Sequence, residues 1–281
     1  MTETADYDKS ATPIAHSPSH EKDGADEISV AGLAGVLAED QPSEFSLVKN
    51  LLSKFQGLVT GNWSVRVAGA AAIWTSVCWS PELGLFCAVA YSGTYQHVMT
   101  SPDGITWTGR AAATVNWWFS VCWSPELGLF CAVARSGVGD RVMTSPDGIN
   151  WTSRTSAANN SWYSVCWSPE LGLFCAVAGS GAGNRVMTSP DGITWTSRTS
   201  AADNSWTSVC WSPELGLFCA VAESGAGNLV MTSPDGITWT SRAAAADIAW
   251  HSVCWSPERG LFCAVAYVGV QNSVMTSLFY T

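Results

Sequence analysis

The chain is short of charge and of histidine, and beyond Lys54 it has no lysine. Asp, Glu, Lys and Arg make up 13% of the 281 residues, and there are four His. Residues 1–60 hold all four Lys and ten acids, whereas residues 61–281 hold nine Arg and thirteen acids. The formal charge of −10 sets the average field against phosphate, which excludes nucleic acid as an expected partner. No apolar run reaches the roughly 18 residues of a membrane helix, so no membrane span is expected. The acidic N-terminus also lacks the basic segment and apolar stretch of a signal peptide. The expectation is a cytoplasmic protein or part of an exported particle. What the chain does have is 47% hydrophobic residues, 16 Trp and 25 Gly, enough for a large core joined by many turns.

A 44-residue period organises everything after position 61. Cys78, Cys122, Cys166, Cys210 and Cys254 recur at that spacing, as do Cys87, Cys131, Cys175, Cys219 and Cys263. Around each pair stands SVCWSPELGLFCAVA, with Arg259 replacing Leu in the last unit. A second block, VMTSPDGITWT, follows in most units. Fifteen of the 16 Trp fall on three repeated positions, and Trp117 is left over.

Each unit reads as four short strands. In the third they are Trp162–Ser168 (A), Leu173–Ala178 (B), Arg185–Ser189 (C) and Ile193–Ser197 (D), with turns at Pro169-Glu170-Leu171-Gly172 and Pro190-Asp191-Gly192. The strands are apolar on both faces, as expected of sheets sandwiched between neighbours. Four strands per 40-odd residues predict an all-β, five-bladed β-propeller over residues 58–281. The competitor, a β-solenoid, gives no reason for an offset visible at the ends. Asn62-Trp63-Ser64 and Arg66 match strand D, while the last unit ends after strand C at Val274–Ser277. The sequence therefore predicts a ring closed by its N-terminal strand, which leaves no unpaired edge.

Ser189-Pro190-Asp191-Gly192-Ile193-Thr194-Trp195, with its counterparts at Ser101–Trp107, Ser145–Trp151 and Ser233–Trp239, resembles the Asp-box hairpin of sialidase-type (BNR-like) propellers. It departs from that pattern by lacking one residue between Asp and Gly. The resemblance implies a propeller in which Asp103, Asp147, Asp191 and Asp235 are structural and lie away from any active site. Blade number, Trp content and near-identical repeats also look similar to five-bladed tachylectin-type lectins, by analogy only.

Few residues offer chemistry. The paired cysteines face each other across strands A and B, so five disulfides are conceivable. Without an export signal, reduced thiols filling space between blades are the favoured reading. No repeated His accompanies them, so no metal is expected, and no cofactor either. Arg66, Arg110, Arg154, Arg198 and Arg242 end each strand D and cannot all converge on one substrate; Glu82, Glu126, Glu170, Glu214 and Glu258 read as solvated turn residues. His97 and His251 have no evident partner. No enzyme is expected.

Variation between units falls on the B–C and D–A loops, which share one face. There the third and fourth units place Asn160, Trp162 and Asn184, then Asn204, Trp206 and Asn228, at equal positions. Amides beside an indole suit a sugar site, with CH faces stacking and hydroxyls hydrogen-bonding. The competing reading is ordinary Asx turns around a buried Trp. Residues 1–42 read as a disordered acidic leader and 43–57 as an amphipathic helix with Phe45, Val48, Leu52 and Phe55 on one face, a possible docking segment. The expected function is multivalent, non-catalytic glycan binding through the loop face. The alternative is a structural or adaptor subunit of a virion, phage tail or injection-type assembly, tethered by the leader.

Overall fold

The computed structural model describes residues 63–93, 96–225, 228–267 and 273–277. It divides into units 1–64 and 65–281, and every described strand belongs to the second. The leader at 1–42 and the helix at 43–57 lie outside the described residues. Among the described residues no helix is long and apolar enough to cross a membrane.

The strands form five antiparallel sheets. Blade 1 is β1 (Ile73–Ser80), β2 (Leu85–Ser92), β3 (Val98–Ser101) and β4 (Thr108–Arg110). Blade 2 is β5 (Trp118–Ser124), β6 (Leu129–Ala134), β7 (Val142–Ser145) and β8 (Thr152–Arg154). Blade 3 is β9 (Trp162–Ser168), β10 (Leu173–Ala178), β11 (Val186–Ser189) and β12 (Thr196–Arg198). Blade 4 is β13 (Trp206–Ser212), β14 (Leu217–Ala222), β15 (Val230–Ser233) and β16 (Thr240–Arg242). Blade 5 is β17 (Trp250–Ser256), β18 (Leu261–Ala266) and β19 (Val274–Thr276). Strand order within each sheet follows the chain, the arrangement of a propeller blade.

Both faces of the middle strands are buried because each blade is covered by the next. In β10 every residue from Phe174 to Ala178 is inaccessible. Trp118, Trp162 and Trp206 are fully buried at the start of their strands, each indole N–H donating to a carbonyl four residues earlier. Two hydrogen bonds tie each blade to its successor. The backbone N–H of Val121 donates to Ser76 Oγ (3.2 Å), and those of Val165, Val209 and Val253 donate to Ser120, Ser164 and Ser208 (3.1 Å each). The indole N–H groups of Trp123, Trp167 and Trp211 donate to the carboxylates of Glu82, Glu126 and Glu170 at 2.6 Å, and Trp255 donates to Glu214 at 2.5 Å. Glu82, Glu126, Glu170 and Glu214 are exposed at their turns, as expected, and are cross-blade acceptors as well. Arg110, Arg154, Arg198 and Arg242 each donate from Nε to a Thr hydroxyl of their own blade, at 2.9–3.2 Å.

The box turns are built alike. Asp147 Oδ1 accepts the N–H groups of Ile149 and Asn150 and the hydroxyl of Ser145, while Trp151 donates to Gly148 O. Slight burial alone would raise the Asp147 pKa. The N–H groups of Asn150 and Ile149 outweigh it and bring the carboxyl down to about 2. Asp103, Asp191 and Asp235 repeat the turn and are lowered too.

One expectation differs at the seam. Among the described residues, 63–68 form no strand, Trp63 is fully exposed, and the fifth sheet has three strands. The closing strand expected at 62–66 is not seen over the described part of that stretch, residues 63–66.

Candidate functional site

Of the six residues expected to hold sugar, Asn160, Trp162, Asn204 and Trp206 are buried within the blades, whereas Asn184 is half-buried and Asn228 exposed. Trp162 and Trp206 have no exposed surface and present no ring face to a ligand. Asn160 is buried and donates from Nδ2 to Asn184 O at 2.8 Å; Asn204 does the same to Asn228 O at 2.7 Å. Asn116, not singled out from sequence, repeats the bond to Asp140 O at 2.9 Å. Each amide lies against a glycine of the B–C loop. A Cβ on Gly181 (φ 111°) would come within 2.4 Å of the Asn160 amide, so side chain and backbone are fitted to each other there. Further side chains close the loops: Arg141 and Arg185 each donate to two carbonyls of their own loop, and both ring nitrogens of His97 lie near 3 Å from the carbonyls of Asn116 and Gly93. Desolvation lowers the Arg141 pKa, with Asp140 acting the other way.

The surface of this face comes from other positions. Opposite the first two residues of each inner strand, the register slips by one. Trp118 pairs with Ala134 and Ser120 with Val133, so Phe119 is an extra residue, a β-bulge. Tyr163, Thr207, His251 and Thr75 are its counterparts. A bulge re-aims its side chain, and this position, between the repeated Trp and the constant block around the cysteines, varies from unit to unit. Where it is Thr, the hydroxyl turns inward and bridges two blades, from Thr207 to Val221 O and Trp250 O and from Thr75 to Val89 O and Trp118 O. Phe119, Tyr163 and His251 keep part of their surface on the face.

The residue leaving the second strand of each blade varies too: Tyr91, Arg135, Gly179, Glu223 and Tyr267. Together these positions build a continuous patch. Tyr91 stacks on Phe119 (centroids 5.7 Å, 24° between planes) and meets Trp117 edge-on at 6.1 Å. Phe119 meets Tyr163 edge-on at 5.4 Å. The Arg135 guanidinium carbon lies 4.6 Å from the Phe119 centroid and 4.2 Å from that of Tyr163, a double cation–π contact. Its Nε is buried and makes no hydrogen bond. Gly179 leaves room beside Tyr163, since a Cβ there would fall 2.7 Å from its ring and from Ser205 Oγ. Ser205 in turn donates to Glu223 at 3.0 Å. Desolvation raises the Tyr163 pKa; Arg135 works against it and Glu223 with it. His251 and Tyr267 form a separate pair at 5.6 Å. Trp117, 52% exposed, caps the patch. Its being the one Trp outside the repeat was the sequence signal for this site.

All ten cysteines are free thiols, placed opposite one another in five register pairs. Burial pushes Cys78 and Cys219 up to about 12 and raises Cys87, Cys122, Cys131, Cys166 and Cys175 well above the ordinary thiol range. Among the described residues no three His, Cys, Asp or Glu gather where they would hold a metal ion.

No family model matches the chain, and no curated protein matches it in sequence. Solved structures match in fold. A chain of a nidogen/laminin complex superposes with a TM-score of 0.55 at 12% identity, over 73% of this chain and 76% of that one. A GH74 enzyme from Niastella koreensis gives 0.55 at 14%, but this chain, covered over 72%, spans only 36% of that enzyme. A putative gluconolactonase gives 0.52 at 14%, over 72% and 73%. At such identities the likeness is one of fold, shared by binding proteins and enzymes. What the chain is, on these comparisons, is a repeat protein of β-propeller fold.

Proposed function

We propose that this protein is a non-catalytic recognition module that binds glycans through the bulge-bearing face, with the patch formed by Tyr91, Trp117, Phe119, Arg135 and Tyr163 as its principal site. The observation that carries the reading is the coincidence of variation and exposure. In units that otherwise repeat almost letter for letter, the residues that differ are those the bulges and strand exits turn towards one face. The groups there suit a sugar: aromatic edges and faces for CH contacts, guanidinium N–H groups for hydroxyls or a carboxylate, and the Tyr hydroxyls. Glu223, the carboxylate that acts on Tyr163, is held by Ser205, which suits binding rather than proton transfer.

The test is a glycan array probed with wild type, Trp117→Ala and Arg135→Ala. Loss of one ring contact or one charged donor should weaken retention by about tenfold or more. Both variants should melt as wild type does to within a few degrees. If wild type retains no glycan, the face serves something else, with docking into a larger assembly the next reading to test.

A further inference from the structure

Arg135 differs from the other arginines of the blades in what its guanidinium does. Among the described residues, every other half-buried Arg donates from Nε: Arg110, Arg154 and Arg198 to a Thr hydroxyl, Arg141 and Arg185 to a loop carbonyl. The Nε of Arg135 is buried and makes no hydrogen bond. No described carboxylate lies in ion-pair range of it, whereas Arg185 has Asp203 at 3.6 Å. Its two Nη groups make no hydrogen bond to the described residues and are open to solvent. A half-buried cation without a counter-ion or an acceptor is unfavourable for the fold by itself.

The group is nevertheless held in place. Its backbone N–H donates to Trp117 O at 2.9 Å, and its carbonyl accepts from Arg141 Nη1 at 3.0 Å. The Phe119 and Tyr163 rings both lie against the guanidinium. Ring contacts restrain its plane and leave the N–H groups at its tip free to bond something else. Little ordering then remains to be done when a ligand arrives.

A planar pair of N–H groups matches the two oxygens of a carboxylate, and a single hydroxyl cannot engage both in the same way. The rest of the chain limits how many such charges a ligand can carry. Residues 61–281 hold thirteen acids against nine Arg, a balance that repels a polyanion. Glu223, held by Ser205 beside the Tyr163 ring, adds a negative charge next to the patch. One anionic group is favoured at Arg135, and a row of them is not.

On the glycan reading above, we infer that the ligand is an acidic sugar within an otherwise neutral glycan, its single carboxylate received by the two Nη groups of Arg135. The sugar ring then lies on the aromatic surface that Tyr91, Phe119 and Trp117 form beside it.

The experiment probes the full chain on an array of oligosaccharides that each bear one uronic or sialic acid. Their methyl esters, neutral glycans and heparin are printed alongside. Wild type should retain the acids about tenfold better than their own esters, with heparin no better than the neutral glycans. Arg135→Gln should bring the acids down to the level of the esters and leave ester retention unchanged. If wild type holds esters and acids alike, the carboxylate is not read and the inference fails, while the glycan reading stands. It fails equally if heparin is retained best, since bulk charge then drives binding, or if Arg135→Gln keeps the preference for acids. Retention of no glycan at all by wild type overturns the glycan reading itself, and this narrower one with it. The comparison of acid with ester needs only wild type, so it is independent of how the variant folds.

Discussion

Glu126 offers the sharpest test of what joins the blades. Its carboxylate accepts the Trp167 indole N–H at 2.6 Å, across the boundary between blades 2 and 3. Sequence reasoning assigns it to solvent. Hydrogen bonds to a charged partner contribute about 1.5–3 kcal/mol when well formed. Glu126 is exposed while Trp167 is buried, so water replaces part of the lost bond and the expected cost of Glu126→Ala is at the low end, about 1–1.5 kcal/mol. For a domain of this size that lowers the melting temperature by roughly 2–6 °C. Glu126→Gln retains an oxygen acceptor and should recover more than half of the loss. Guanidinium titration of the three proteins, followed by near-UV circular dichroism from the tryptophans, reads the midpoints directly. If Ala and Gln variants shift equally, or Ala not at all, the glutamate is not a tie between blades.

Other expectations follow from the same geometry. Asn160→Ala removes a buried amide and leaves Asn184 O without its donor, so it should destabilise by about 1–3 kcal/mol instead of acting as a silent loop change, which chemical denaturation will show. Trp162→Ala should cost about 3–5 kcal/mol, measured the same way, through a cavity in the blade core. The Asp147 carboxyl titrates lower in the folded chain than in the unfolded one. Its contribution is therefore full above about pH 4 and lost as pH falls through about 2. Asp147→Asn should flatten that acid limb in a stability-versus-pH series. The buried thiols, with Cys78 and Cys219 near pKa 12, should react slowly with a thiol reagent at neutral pH and rapidly after denaturation. Fast reaction of most of them in the native protein contradicts their burial.

The repeat made the blades legible almost to the residue. In the third unit the first two strands run over the expected residues, because a four-residue SPELG-type turn and unbroken apolar runs leave little latitude. The last strand starts later than expected, at Thr196 instead of Ile193, since Ile193 and Thr194 spend their N–H groups on Asp191 and are not free to pair. The site was harder. A bulge is a surplus of one residue relative to a partner strand, so nothing in the SVCWS block marks Phe119 or Tyr163 as turned outward. Asn160 and Glu126 misled for a shared reason. Each is a polar residue beside a turn, and its true partner is a carbonyl or an indole brought alongside by the next strand or the next blade. Variation between units pointed to the B–C and D–A loop face; there the structure buries Trp162 and Trp206 and leaves Trp117 half exposed.

The bulges carry an evolutionary consequence. Because the surplus residue is relieved of strand pairing, its side chain can be exchanged while Trp, Val and Cys around it go on packing unchanged. A unit lifted by recombination from one place in the gene to another would meet the same Ser, Glu and Trp at its new borders, whatever its bulge residue. The protein can therefore shuffle or duplicate whole units and renew the outline of one face without redesigning its interior. Diversity there is inherited in modules of a single blade.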